Sequence, residues 1–85
     1  MPLFLIERQF AEELQLDAQG VEGITAVNAD AGVSWLYSFL SADRKKTYCL
    51  YEAPSAEAIR QAARMNRIPA DRIIEVNQLR PEAIV

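Results

Sequence analysis

Four side chains at the ends of apolar runs carry the most suggestive chemistry in this chain: Glu7, Arg8, Glu52 and Glu75. Glu7 and Arg8 follow Leu3-Phe4-Leu5-Ile6, and Glu52 follows Tyr48-Cys49-Leu50-Tyr51. If these two runs are parallel neighbouring strands, Glu7 and Glu52 lie at the same end of one sheet. Each shares a strand phase with leucines (Leu3 and Leu5; Leu50), so both are expected on one half-buried face. Two carboxylates in a pocket of low dielectric push their pKa values apart, which acid–base chemistry needs. The same pair would equally hold a hard divalent cation. It would also serve as an ion-pair network with Arg8 or Arg72.

Asn28 falls within an apolar helical stripe, where an amide must find partners, either in the core or on a ligand. Trp35, Tyr37, Tyr48 and Tyr51 offer aromatic walls and polar handles to a cavity, or plain packing to a core or interface. Cys49, mid-strand between tyrosines, reads as a buried, inert thiol. Arg60, Arg64 and Arg67 read as a solvated helix face. With Arg44, Lys45 and Lys46 they are basic, but the aromatic signature of a nucleic-acid-binding sheet is absent.

Composition narrows the chemistry further. Of the 85 residues none is histidine and one is cysteine. That removes Ser-His and Cys-His catalytic pairs, histidine metal sites and any intramolecular disulfide. A net charge of −3 argues against nucleic acid as a partner. The first apolar run is too short for a signal peptide or a membrane span, so a cytoplasmic protein with no membrane partner is expected.

The elements that must position these residues follow from periodicity. The chain is short enough for one domain, residues 1–85. Leu3–Arg8 reads as a strand and Phe10–Leu16 as a connector with a polar middle. Asp17 caps a helix that runs to about Ala31, with Val21, Ile24, Val27, Asn28 and Ala31 on one face and Gly32 beyond its end. Val33–Leu40 alternates as a strand, with Val33, Trp35, Tyr37 and Phe39 to one side. Ser41–Lys46 is a hairpin connection, and Thr47–Glu52 a third strand. Ser55 caps a second helix with Ile59, Ala62 and Ala63 as its buried stripe. That helix fades near Asn66 before Pro69. Arg72–Leu79 is a last strand and Pro81–Val85 a tail. The order βαββαβ predicts an α+β, ferredoxin-like fold: a four-stranded sheet in the order 4-1-3-2 with both helices on one face and strands one and three parallel.

Two helices shelter one face of such a sheet, yet both faces of its strands carry apolar residues. About half of all residues, 51%, are hydrophobic. Covering about 600 Å² of apolar surface would release roughly 15 kcal/mol before association costs. A homodimer packed back to back, closing a dimeric α+β barrel, is the expected cover. The alternative is the tail, Pro81–Val85, folded across the sheet.

Several runs resemble a known family. Glu7-Arg8 ends the first strand, and Gly32-Val33 precedes Trp35-Leu36 and Ser38. Thr47-Tyr48-Cys49-Leu50-Tyr51-Glu52-Ala53-Pro54 precedes Ala58-Ile59-Arg60. Pro69-Ala70-Asp71-Arg72-Ile73 leads to Glu75-Val76. Together they resemble a bacterial domain-of-unknown-function family that includes a small nickel-binding protein. The resemblance implies a ferredoxin-like fold and a dimeric α+β barrel, and assigns no activity. The nickel-binding relative is rich in histidine; this chain has none, so no metal ligand carries over.

Three readings remain open at this level. The first is a homodimer that binds a small ligand or metal ion at the carboxylates or in the inter-sheet cavity, with Glu7, Arg8, Asn28, Trp35, Tyr48, Glu52 and Glu75 as candidate residues. The second is a cofactor-free enzyme of oxygenase or isomerase type, with Glu7 or Glu52 as base and Asn28 or a tyrosine as donor. The third is an interaction module. No cofactor is named by the sequence.

Overall fold

In a computed structural model the chain is described over residues 1–83; the last two residues of the expected tail lie outside the described residues. The element order is β1 (Leu3–Gln9), α1 (Ala18–Ala31), β2 (Ser34–Leu40), β3 (Lys46–Glu52), α2 (Ala56–Asn66) and β4 (Arg72–Val76). A single 3₁₀ turn, Pro81–Ala83, follows and is exposed.

The helices start and stop where local chemistry directs them. The Asp17 carboxylate accepts the Gly20 backbone N–H at 2.8 Å and so opens α1. Gly32 closes it in the left-handed region, at φ 75°. The Ser55 hydroxyl accepts from Ala58 N at 3.2 Å and opens α2, with Glu57 in its first turn. Arg67 ends α2 with a φ of 57°.

The four strands form one open sheet in the order β2-β3-β1-β4, as in a ferredoxin-like fold. Every pairing is antiparallel. The expectation that β1 and β3 run parallel is therefore corrected. The chain rises through β1, returns through α1, rises again through β2, and reverses at the hairpin. β3 enters between β2 and β1 running against both.

Phe4, Ile6 and Arg8 of β1 and Thr47, Cys49 and Tyr51 of β3 are buried on the helix side. Ile59 and Ala62 of α2 pack on Phe4, Ile6, Val33, Cys49, Tyr51 and Ala53 to form the core. The other face holds Leu3, Leu5 and Glu7 of β1 and Tyr48, Leu50 and Glu52 of β3, all half-buried.

The second strand departs from simple alternation. A register shift between Trp35 and Tyr37 leaves Leu36 as the extra residue. Trp35 lies opposite Tyr51 on the helix side, whereas Tyr37 and Phe39 lie opposite Leu50 and Tyr48 on the open face. One inserted residue thus separates four residues expected to share a side.

Candidate functional site

The antiparallel register takes apart the expected carboxylate cluster. Glu52 is opposite Leu3 and Glu7 opposite Tyr48, so the two share the open face but sit at opposite ends of it. Four residues along a strand is roughly 13 Å. Glu7 is met instead by Lys46, whose Nζ is 3.9 Å away, with Arg72 across from it on β4. Glu75 lies opposite Phe4 on the edge strand, exposed and apart from both other carboxylates. Tyr48 lies on the open face under the Lys46 ammonium, 6.0 Å from its ring centre.

Arg8, Asn28 and Trp35 lie on the opposite side of the sheet. Arg8 and Trp35 help line a cavity of about 300 Å³ between the helix face of β1–β3, the N-terminal half of α1 and the connector before it. The connector is held over the cavity by the β2–β3 hairpin. Phe10 N donates to the Lys45 carbonyl and Leu14 N to the Arg44 carbonyl, each at 2.7 Å. Arg44 Nη2 returns a bond to the Leu14 carbonyl at 3.0 Å. Phe10, Leu14 and Leu16 thereby supply an apolar wall, which Ile24 of α1 and Ile68 after α2 extend. Periodicity does not reveal the three connector residues, because a connector has no period to mark its inward side. Their only signal is that three large apolar residues fall in a short connecting segment.

The floor is polar at one point. Arg8 is 3% exposed. Its Nη1 donates to the Pro69 carbonyl, and its guanidinium carbon is 5.7 Å from the centre of the Tyr51 ring. Tyr51 in turn accepts from Asn28 Nδ2 at 3.3 Å, and Asn28 Oδ1 accepts from Asn66 Nδ2 at 3.3 Å. This chain of bonds ties α2 to α1 and α1 to β3. Burial raises the Tyr51 phenol above its ordinary value, while the Arg8 charge and the Asn28 amide partly oppose that shift. The phenol therefore keeps its proton at neutral pH. Trp35 is fixed by its indole N–H, which donates to Ser38 Oγ at 2.8 Å.

The fold and this pocket define a class: a ferredoxin-like βαββαβ protein with a small apolar cavity under its first helix. A family model described as nickel responsive protein SCO4226-like matches residues 4–76, and the chain belongs to that family. The crystal structure of SCO4226 from Streptomyces coelicolor A3(2) is similar to it, with a TM-score of 0.78 and 26% sequence identity over 92% of this chain and 99% of that one. No curated protein matches the chain.

The family description raises the question of a nickel site. Nickel is suited by imidazole nitrogen and other strong donors. This chain has no histidine. Its one cysteine is buried, and among the described residues there is no group of three or more His, Cys, Asp or Glu that could hold a metal. Among the described residues, the donor set of a single copy does not fit nickel. No helix among the described residues is long and apolar enough to cross a membrane.

Proposed function

We propose that the protein is a homodimer that binds a small organic molecule in the cavity beneath α1. The cavity itself carries this reading. Its volume, about 300 Å³, is at the lower end of ordinary small-molecule sites. Its wall is mostly apolar, with a few polar groups converging from the sheet.

The homodimer rests on the helix-free face. Tyr37 and Phe39 stack edge to face there, ring centres 5.8 Å apart, and Phe39 is 65% exposed. Leu3, Leu5, Leu50 and Ile74 continue the patch across the sheet. A second copy laid on this face would cover all of it while leaving the cavity open on the far side.

Binding is favoured over catalysis because, among the described residues, the cavity wall contains no carboxylate to serve as the base that the oxygenase or isomerase reading calls for. It is favoured over metal binding because the three candidate carboxylates are apart from one another. The family's link to nickel, brought to this chain, would need donors from more than one copy.

Trp35 is the single tryptophan and lines the cavity, so its fluorescence reports on occupancy. Titration with a panel of small apolar compounds is expected to give saturable changes in its emission. Native mass spectrometry of protein purified without chelators is expected to give a mass twice that of the chain. A single-chain mass at micromolar concentration would refute the dimer, and an inert Trp35 across the whole panel would refute the pocket.

A further inference from the structure

We propose that the ligand of this cavity is an organic anion, a carboxylate or similar oxyanion on an apolar body, with Arg8 as its counter-ion. The inference rests on the cavity being a ligand site and adds the class of molecule it takes.

The first observation is a buried charge with no ionic partner among the described residues. A guanidinium that is 3% exposed is expected to be paired. The ion pairs among the described residues are Lys46–Glu7, Arg60–Glu57, Arg64–Glu57 and Arg80–Glu82. Arg8 is in none of them. The Pro69 carbonyl accepts from one of its five donors, and the Tyr51 ring and hydroxyl lie beside it. Neither carries a negative charge. Among the described residues no sealed side-chain nitrogen or oxygen lacks a partner. Arg8 itself lines the cavity, the space in which a guanidinium donor not met by protein can find an acceptor.

The second observation is the charge of the wall. Arg8 and Arg44 both line the cavity, and among the described residues no aspartate or glutamate does. Asp17 lies in the shallower depression beyond Leu16 and Arg44, where its carboxylate is engaged in capping α1. In a chain of net charge −3, a pocket lined by two cations and no anion is a local reversal of sign. Such a pocket attracts anions.

The third is the direction of the Tyr51 hydroxyl bond. The oxygen accepts from Asn28, which leaves the phenolic proton without an acceptor among the described residues. An oxyanion beside Arg8 would accept that proton's hydrogen bond together with those of the guanidinium. The apolar remainder of the ligand would rest against Trp35, Leu14 and Ile24.

The test compares three molecules of one shape: 4-phenylbutanoate, 4-phenylbutan-1-ol and 4-phenylbutylammonium. Each is titrated into the full-length protein while Trp35 fluorescence and backbone amide shifts are followed. The acid is expected to bind about tenfold or more tighter than the alcohol, and the ammonium more weakly still. Arg8→Met, which keeps an unbranched stem of similar bulk, is expected to abolish the preference for the acid. Arg8→Lys is expected to restore part of it. Equal or tighter binding of the alcohol in wild type overturns the anion assignment and leaves the pocket standing, a result that needs no variant to fold. Failure of all three to perturb cavity residues overturns the pocket and this inference together.

Discussion

Arg8 and Tyr51 meet across the helix face of the sheet although they are not opposite each other. Arg8 is in register with Thr47 and Tyr51 with Phe4, yet the guanidinium carbon is 5.7 Å from the Tyr51 ring centre. The two long side chains between them span the row that holds Ile6 and Cys49. The contact places a cation and a phenol on the floor of one cavity and links that floor, through Asn28, to both helices.

Asn28 is the hinge pin of that linkage. It is 2% exposed and bonds to Tyr51 on one side and Asn66 on the other. Asn28→Ala is expected to lower folding stability by about 1–3 kcal/mol, because it removes two bonds and leaves a buried hydroxyl short of a partner. Asn66→Ala, in a less buried position, should cost less. Urea unfolding of the two variants checks both the size and the order.

Tyr51 gives a pH signature. Its folded pKa is raised, so its contribution is fully present below the unfolded value near 10 and is lost as pH rises toward the folded value. The sign follows because the unfolded chain releases this proton first, and the more alkaline solvent then favours unfolding. Stability is expected to fall more steeply above pH 10 in wild type than in Tyr51→Phe. Thermal unfolding of the pair across alkaline pH measures the difference. An equal slope in the two proteins would argue against a buried phenol.

The open face predicts the oligomer. Phe39, on the edge strand β2 opposite Tyr48, is more exposed than Tyr37 or Ile74 on the same face. Phe39→Glu would place a charge in the proposed contact and is expected to weaken self-association by a hundredfold or so, equivalent to roughly 3 kcal/mol. Sedimentation equilibrium over a range of concentrations reads it directly. Ligand binding by Trp35 fluorescence should persist in the variant, since the cavity is on the other side of the sheet.

The hairpin turn offers an acid-side test. The Asp43 carboxylate accepts from Ser41 Oγ at 2.6 Å and from Lys45 N at 3.0 Å. The Ser41 bond first, and the Lys45 amide second, lower its pKa below the ordinary 3.8. What the folded turn gains from the ionised form is therefore present above 3.8 and is lost as pH falls through the lower folded value. The Lys45 amide resonance should titrate with a midpoint under 3.8, and Asp43→Asn should remove the transition. Since this turn carries Arg44 and Lys45, which clip the connector over the cavity, the same variant tests whether the turn sets the width of the mouth.

The residues that cap, break and alternate spoke for themselves. Asp17 and Ser55 start the helices, Gly32 ends the first, and the Ile59, Ala62 and Ala63 stripe is the buried side of the second. β3 alternates as written. Such features depend on neighbours a few residues away, so the local chain contains the whole cause. The order βαββαβ and the two-helix cover followed from them, as did a burden of apolar residues on both faces of the sheet.

What joins distant segments was decided only by folding. The direction of β3 against β1 depends on how many times the chain reverses between them, and it moved Glu52 to the far end of the sheet from Glu7. A single extra residue at Leu36 sent Tyr37 and Phe39 to the face opposite Trp35. The connector became a wall because Arg44, some thirty residues on, bonds back to Leu14. Arg8 looked like the neighbour of Glu7; alternation along β1 put them on opposite faces, leaving the arginine buried among uncharged groups and the glutamate with Lys46. Charge pairing is a matter of distance through space, and sequence spacing fixes that distance only within an element.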